Sequence, residues 1–495
     1  MSTNTQSPTE QPHVCSDKPS IEPADAELWH AYLRAISDYF PFSEKPDAYR
    51  IYTAPLTSFG VTIGRGVDPA IVNNDLFRLG DLLLPPDSPV FLPRLSYSQR
   101  LRRYLKCVVV PSGRQDQYSR DRLQEAKEHL KQATEEFIKC RAQACEAYVS
   151  DPLYTFAKEL NQTAFEDWIK VFYPSYHIAS LCKDAASQAA YEAQLYHYGP
   201  QTASLWNDKV MLDQAFQGNS PNKPYNMPTS TAQVTHEAVV DSRAQPLLPL
   251  EISYQPRYNI DPRFMETAMG WVKNAQNSHN KGVKIKFRSN YSHKPTKPPN
   301  WNDLGFSKVK LENHSDVVPL MPLFTAETQE KPTSTNTPTY QVGLDAKKAS
   351  VKVTIKASDA AVFPIDPDSS WDIPDITTRY PKLRADAPKD LFDPLVLVTH
   401  VFLGYQVSIE MELDESSFQE INKGLSKCEH YGGTASLLGL SLGPQSTDSV
   451  VGFDQITRDF DTKTIKVPPR DNSQLTLIGL MGMQIGAPKS ESSAK

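Results

Sequence analysis

Cysteine is scarce in this sequence: six residues in 495, Cys15, Cys107, Cys140, Cys145, Cys182 and Cys428, and no two form a C-x-x-C pair. So few exclude a disulfide-built scaffold, and the missing pairs remove the usual zinc and thiol-redox signatures. The expectation is reduced thiols in an intracellular chain. Long apolar runs are also lacking. The longest, Leu395 to Tyr405 and Leu477 to Ile485, are interrupted by polar residues or glycine, so no transmembrane segment is expected. The first 23 residues carry Glu10, Asp17 and Glu22 and have neither the apolar centre of a signal peptide nor the arginines of a transit peptide, which predicts a soluble, cytoplasmic protein. Charge of one sign is absent too: a net charge of -6 gives no global attraction to nucleic acid or an anionic membrane, so any such partner needs a local patch. Glycine, at 21, is outnumbered by 40 prolines, which predicts rigid connections rather than flexible linkers.

What is present is an ordinary globular balance, 39% hydrophobic and 22% charged, on a chain long enough for more than one domain. Residues 1–23 read as a disordered arm. An amphipathic helix follows, with Leu28, Trp29, Tyr32, Leu33, Ile36 and Phe40 on one face. Residues 41–95, broken by prolines, read as a loop-rich covering segment. From Gln115 to Tyr148 a heptad seam of Leu123, Ala126, Leu130, Ala133, Phe137, Cys140 and Ala144 alternates by three and four, predicting a long bundle helix that packs within the chain or against another copy. Further helices are predicted over Leu153–Phe172, Tyr176–Tyr198 and Gln201–Phe216, each stopped by proline or glycine.

Residues 219–257 form a proline-rich linker, and Asp261 and Pro262 open a short helix. Then the period changes to two, in Val283–Arg288, Val351–Lys356 and Tyr405–Leu413. Leu395–Leu403 reads as a fully buried strand. The predicted fold is therefore α+β: an N-terminal helical bundle (24–218) followed by a mainly antiparallel, sandwich-like β domain (258–487), with a polar insertion at 325–339 and a flexible tail at 488–495.

Each candidate catalytic pattern has a plainer explanation. Gly439, Ser441 and Gly443 spell G-x-S-x-G, yet the last histidine is His430, upstream of the serine, so the hydrolase order fails and a bend between strands is expected. Gly60, Gly64 and Gly66 do not follow the dinucleotide-binding order. The helical region has no D-D-x-x-D, and Asn302, Asp303, Ser307 and Glu312 miss the second isoprenoid metal pattern by one place. Asp366, Asp368 and Asp372 lack calcium-loop spacing and read as a solvated turn. His177 and His197 fall about 200° apart around one helix, too far to share a metal. No cofactor or metal is expected.

One charge feature stands out. Between Lys273 and Lys310 the chain has nine lysines and arginines against Asp303 alone, with Phe287, Tyr291, Trp301 and Phe306 interleaved. Lys284, Lys286, Arg288, Lys308 and Lys310 are the candidate residues for an anionic ligand or lipid surface. The plainer reading is that such lysines line a solvated strand face and protect a sheet edge.

GVTIGRGVDP at 60–69, the stretch 351–371 and LTLIGLMGMQI at 475–485 resemble an uncharacterised family of filamentous-fungal proteins. The resemblance implies an accessory or specialised-metabolism setting and carries no catalytic residues. The leading expectation is a non-enzymatic binding protein that recognises a macromolecule or membrane surface, a layout shared by analogy with pore-forming toxins. The alternative is a biosynthetic enzyme without a known motif, its pocket between the helical and β domains.

Overall fold

The computed structural model describes residues 23–41, 49–54, 60–64, 67, 69–89, 95–110, 113–151, 165–216, 229–230, 252–253, 256–275, 282–290, 304–306, 323–328, 339–342, 350–438, 440–444, 450–469 and 474–485. In chain order the elements are α1 (Pro23–Ser37), β1 (Tyr49–Thr53), β2 (Gly60–Thr62), α2 (Pro69–Gly80), β3 (Leu82–Leu84), β4 (Leu95–Ser96) and α3 (Tyr97–Cys107). The helical stretch follows with α4 (Gln117–Ser150), α5 (Phe165–Phe172), α6 (Pro174–Tyr198) and α7 (Pro200–Phe216). Next come β5 (Thr229–Ser230), β6 (Ile252–Ser253), β7 (Tyr258–Ile260), α8 (Phe264–Ala275), β8 (Val283–Asn290), β9 (Phe324–Thr328), β10 (Thr339–Val342), β11 (Ser350–Ala357), β12 (Asp359–Pro367) and α9 (Ile376–Arg379). The chain closes with β13 (Leu395–Tyr405), β14 (Ser408–Leu413), α10 (Glu415–Tyr431), β15 (Gly433–Leu437), β16 (Leu440–Gly443), β17 (Val451–Gly452), β18 (Thr457–Asp459), β19 (Thr464–Val467) and β20 (Gln474–Ile485).

The expected order, a helical bundle and then a separate β domain, is overturned. The largest sheet runs β1-β20-β13-β12-β7, with β2 also on β20 and β3 on β13. Ile51 faces Met481, Val61 faces Leu475 and Leu84 faces Val396, so both ends of the chain build one sheet. The fold is α+β but intertwined. Local periodicity could not show this, because β1 to β3 are too short to display a period and strands buried on both faces lose their alternation. The helix α1 is likewise docked on sheet rather than on the bundle: the Tyr32 ring stacks on Phe287 with centroids 4.7 Å apart, and its hydroxyl donates to the Ile478 carbonyl at 2.8 Å.

The long helix is where the heptad seam placed it. Asp116 caps α4 by accepting from the Ser119 N–H at 2.7 Å, and Leu123, Leu130, Phe137, Cys140 and Ala144 are buried. The seam is filled by this chain's own helices: Leu130 packs with Ala186 and Ala190 of α6, and Phe137 with Trp168 of α5 and Ala179 of α6. Of the predicted helix over Leu153–Phe172, only the part from Phe165 lies within the described residues.

A second sheet runs β18-β19-β14-β11-β8 and a third β10-β9-β15-β16-β17. The alternation read in Val283–Arg288 and Val351–Lys356 holds, with buried Val353 between Phe287 and Met411 and buried Ile355 between Ile285 and Ile409. Tyr405–Leu413, expected as one strand, is divided. Tyr405 ends β13, and Gln406 at φ 50° turns the chain out of the first sheet so that β14 begins in the second. Ser441 of the G-x-S-x-G pattern lies on β16, opposite Ser436 in a hairpin, and not on a strand-to-helix turn. Among the described residues no helix is long and apolar enough to cross a membrane, and Cys107, Cys140, Cys182 and Cys428 are free.

Candidate functional site

A cavity of about 710 Å³ opens where α2, β7, α8 and β12 meet. Each element arrives there for a local reason. Asp261 accepts from the Arg263 N–H at 2.8 Å and starts α8, presenting Phe264 and Met265. β7 pairs with β12 at the edge of the first sheet, Asn259 opposite Asp366. Asn73 of α2 holds the start of β7, its Oδ1 accepting from the Tyr258 N–H at 3.0 Å and its Nδ2 donating to the Pro256 carbonyl at 3.3 Å. The apolar lining comes from Val72, Leu76, Ile260, Phe264 and Met265, with Val67 and two prolines beside them.

Apart from the Tyr258 hydroxyl, the polar side chains of the lining are engaged by the protein itself. Asn259 Nδ2 donates to Asp366 at 3.1 Å, and Arg263 holds Asp261 at 3.1 Å and keeps its carboxyl below the usual range. Arg257 Nε lies 3.7 Å from the fully buried Asp368. Among the described residues the lining contains no serine, threonine, cysteine, histidine or lysine, and its carboxylates, Asp261 and Asp366, are held by Arg263 and Asn259.

Behind the cavity lies a buried polar knot. The Tyr258 ring lies between Phe77 and Trp371, at 5.9 and 5.6 Å, and presses so closely on Gly80 that a Cβ there would come within 2.2 Å of it. Its hydroxyl is buried without a hydrogen-bond partner among the described residues, and burial drives its pKa far up, with Asp81, Tyr97, Asp372 and Asp366 adding to the rise. Tyr97 donates to Asp372 at 2.8 Å, and Trp371 Nε1 donates to the Arg257 carbonyl at 2.6 Å. The expectation that Asp366, Asp368 and Asp372 form a solvated turn is therefore corrected: Asp366 is exposed, but Asp368 and Trp371 are buried because they lock the Arg257 backbone. Among the described residues no group of three or more His, Cys, Asp or Glu side chains is placed to hold a metal ion.

Asp81 ties this knot to α3, accepting from the Ser98 N–H at 2.7 Å, the Ser98 hydroxyl at 2.8 Å and the Ser96 hydroxyl. Burial outweighs these donors and raises its pKa from 3.8 to about 6. An acid raised in the folded state stays protonated there while the unfolded chain ionises. Its contribution is thus full below about pH 4 and is lost as pH rises to about 6, a change of up to ~3 kcal/mol. Urea unfolding across this range should show wild-type stability falling relative to Asp81→Asn, which removes the titration; parallel profiles would contradict the assignment.

Other sequence candidates separate in space. Lys284, Lys286 and Arg288 form one exposed row on β8, in the second sheet, while Phe287 between them points inward. Lys308 and Lys310 lie outside the described residues, as do Tyr291 and Trp301; Phe306 is buried. His197 contacts the Ser119 hydroxyl through Nδ1 at 2.6 Å, a serine–histidine pair that is itself buried and joins the start of α4 to the end of α6. A cleft of about 400 Å³ between α6, α7 and the short helix α9 is lined mostly by polar residues and is bridged by Asp208, which accepts from Arg379 at 2.8 Å and from the Tyr380 hydroxyl at 2.7 Å.

Sequence reasoning missed the cavity. Only the Asp261–Pro262 helix start was legible, because the lining comes from segments distant in sequence and α2 fell within the stretch read as loops. No protein-family model, curated protein or solved structure matches the chain.

Proposed function

We propose that this protein is a non-enzymatic binding protein that houses a small, mainly apolar molecule in the cavity between α2, β7, α8 and β12. The observation that carries the reading is the lining: an apolar space of about 710 Å³, within the ~300–1,000 Å³ common for ligand sites, whose Asn73, Asn259 and Asp261 are already bonded within the protein. Such a site favours holding a ligand over transforming it. The alternative of a biosynthetic enzyme with its pocket between the helical and β regions has less support, since the cleft between α6, α7 and α9 is polar and Asp208 in it is already paired. A cytoplasmic setting belongs to the same proposal and is supported by the free thiols. Nothing in this reading rests on the filamentous-fungal resemblance.

The test is titration with the neutral fluorophore N-phenyl-1-naphthylamine. Saturable binding with a Kd on the order of 1–10 μM is expected, weakened at least about tenfold in the double variant Val72→Trp/Met265→Trp, which fills the apolar wall. No saturable signal, or equal binding by the variant, would sink the reading.

A further inference from the structure

Lys284, Lys286 and Arg288 stand on one side of β8, at the edge of the described part of the second sheet, and none has an ion-pair partner among the described residues. Alternate residues of a strand are separated by roughly 6.6–6.8 Å, so the three charges form a straight row. The neighbouring strand repeats the sign: Lys356 is opposite Lys284, and Lys352 is opposite Arg288. Like charges directly opposite one another weaken a sheet. On β11 that cost is offset, because Lys352 bonds Glu412 at 2.7 Å and Lys356 bonds Glu410, both on β14. Among the described residues the β8 row has no such relief. Protecting an edge from pairing needs a lysine or two; it does not require two like-charged cross-strand pairs.

We propose that the β8–β11 face is a docking surface for the anionic face of a lipid bilayer. This inference is independent of the cavity. Charge complementarity carries it: five cations on two adjacent strands, three of them without an ion-pair partner among the described residues, in a protein whose net charge is -6. Contact with an anionic surface must then be made by this face rather than by the molecule at large. A bilayer fits better than nucleic acid, since the exposed side of these strands carries Lys284, Lys286, Arg288, Lys352 and Lys356 and no aromatic ring on which bases could stack, Phe287 being buried on the other side. Attachment is peripheral and electrostatic, because the face has no apolar side chain to insert.

The experiment is co-sedimentation of the full chain with vesicles of phosphatidylcholine, alone or with phosphatidylserine as about a third of the lipid. Wild-type protein is expected to pellet only with the phosphatidylserine vesicles at about 0.1 M salt and to be released as salt shortens the screening length. The variant K284E/K286E/R288E is expected to lose at least about 100-fold in partitioning, several-fold for each cation removed. K284E and R288E each put a carboxylate opposite a lysine, so the variant should melt no lower than wild type, and lost binding cannot be laid to unfolding. The neutral variant K284Q/K286Q/R288Q should fall between the two. Wild-type indifference to phosphatidylserine, equal partitioning of the reversed variant, or displacement from the vesicles by an equimolar single-stranded oligonucleotide would each overturn the proposal, the last by assigning the face to nucleic acid.

Discussion

Deleting residues 474–495, and with them β20, is expected to abolish cooperative unfolding of the sheet core. β20 is hydrogen-bonded to β1, β2 and β13, and its Leu475, Leu477, Ile478, Leu480 and Met481 are at most 1% exposed. At about 1.5–3 kcal/mol for each buried side chain, these five match the whole stability of a typical domain, about 5–15 kcal/mol. The loss also strips β1 and β2 of their described strand partner. Near-UV circular dichroism should show the loss of fixed aromatic packing, while far-UV helicity from the α4–α6 pair, whose apolar clusters are separate from the sheet core, persists. A truncated chain melting at the wild-type temperature would contradict the interleaved sheet.

Trp371→Ala is expected to cost about 3–5 kcal/mol, the usual range for emptying a fully buried tryptophan site. Trp371 is 0% exposed and touches the rings of Tyr97 and Tyr258. It also supplies the hydrogen bond, at 2.6 Å, that holds the Arg257 carbonyl, and Arg257 and Tyr258 form one wall of the cavity. Affinity for the apolar probe should therefore fall together with stability. Trp371→Phe keeps most of the ring but not the donor, and should cost about 1–3 kcal/mol. Urea denaturation of both variants separates packing from hydrogen bonding, and a Trp371→Phe variant as stable as wild type would show that the Arg257 bond contributes nothing.

The two large errors of sequence reading have related causes. Tyr49–Thr53 is five residues long and buried along nearly its whole length, so it shows no alternation, and its partner lies at the other end of the chain. Gln406 breaks an apparently continuous alternation because a positive φ leaves no mark in hydrophobic period. The acidic loop at Asp366–Asp372 departs from its expected exposure for a similar reason: charge suggests solvent, while the buried Asp368 carboxylate accepts from the Ser370 N–H at 2.9 Å and lies 3.7 Å from the Arg257 guanidinium, a residue distant in sequence.

By itself the sequence determined the elements whose signal is local. The heptad seam of α4, the Asp261–Pro262 start of α8, the buried run of β13 and the outward lysine row of β8 all follow from the spacing of apolar side chains and from capping chemistry, which act within a few residues. Tertiary structure alone decided which strands share a sheet, where α1 docks and that a cavity exists, because these depend on contacts between segments far apart in the chain.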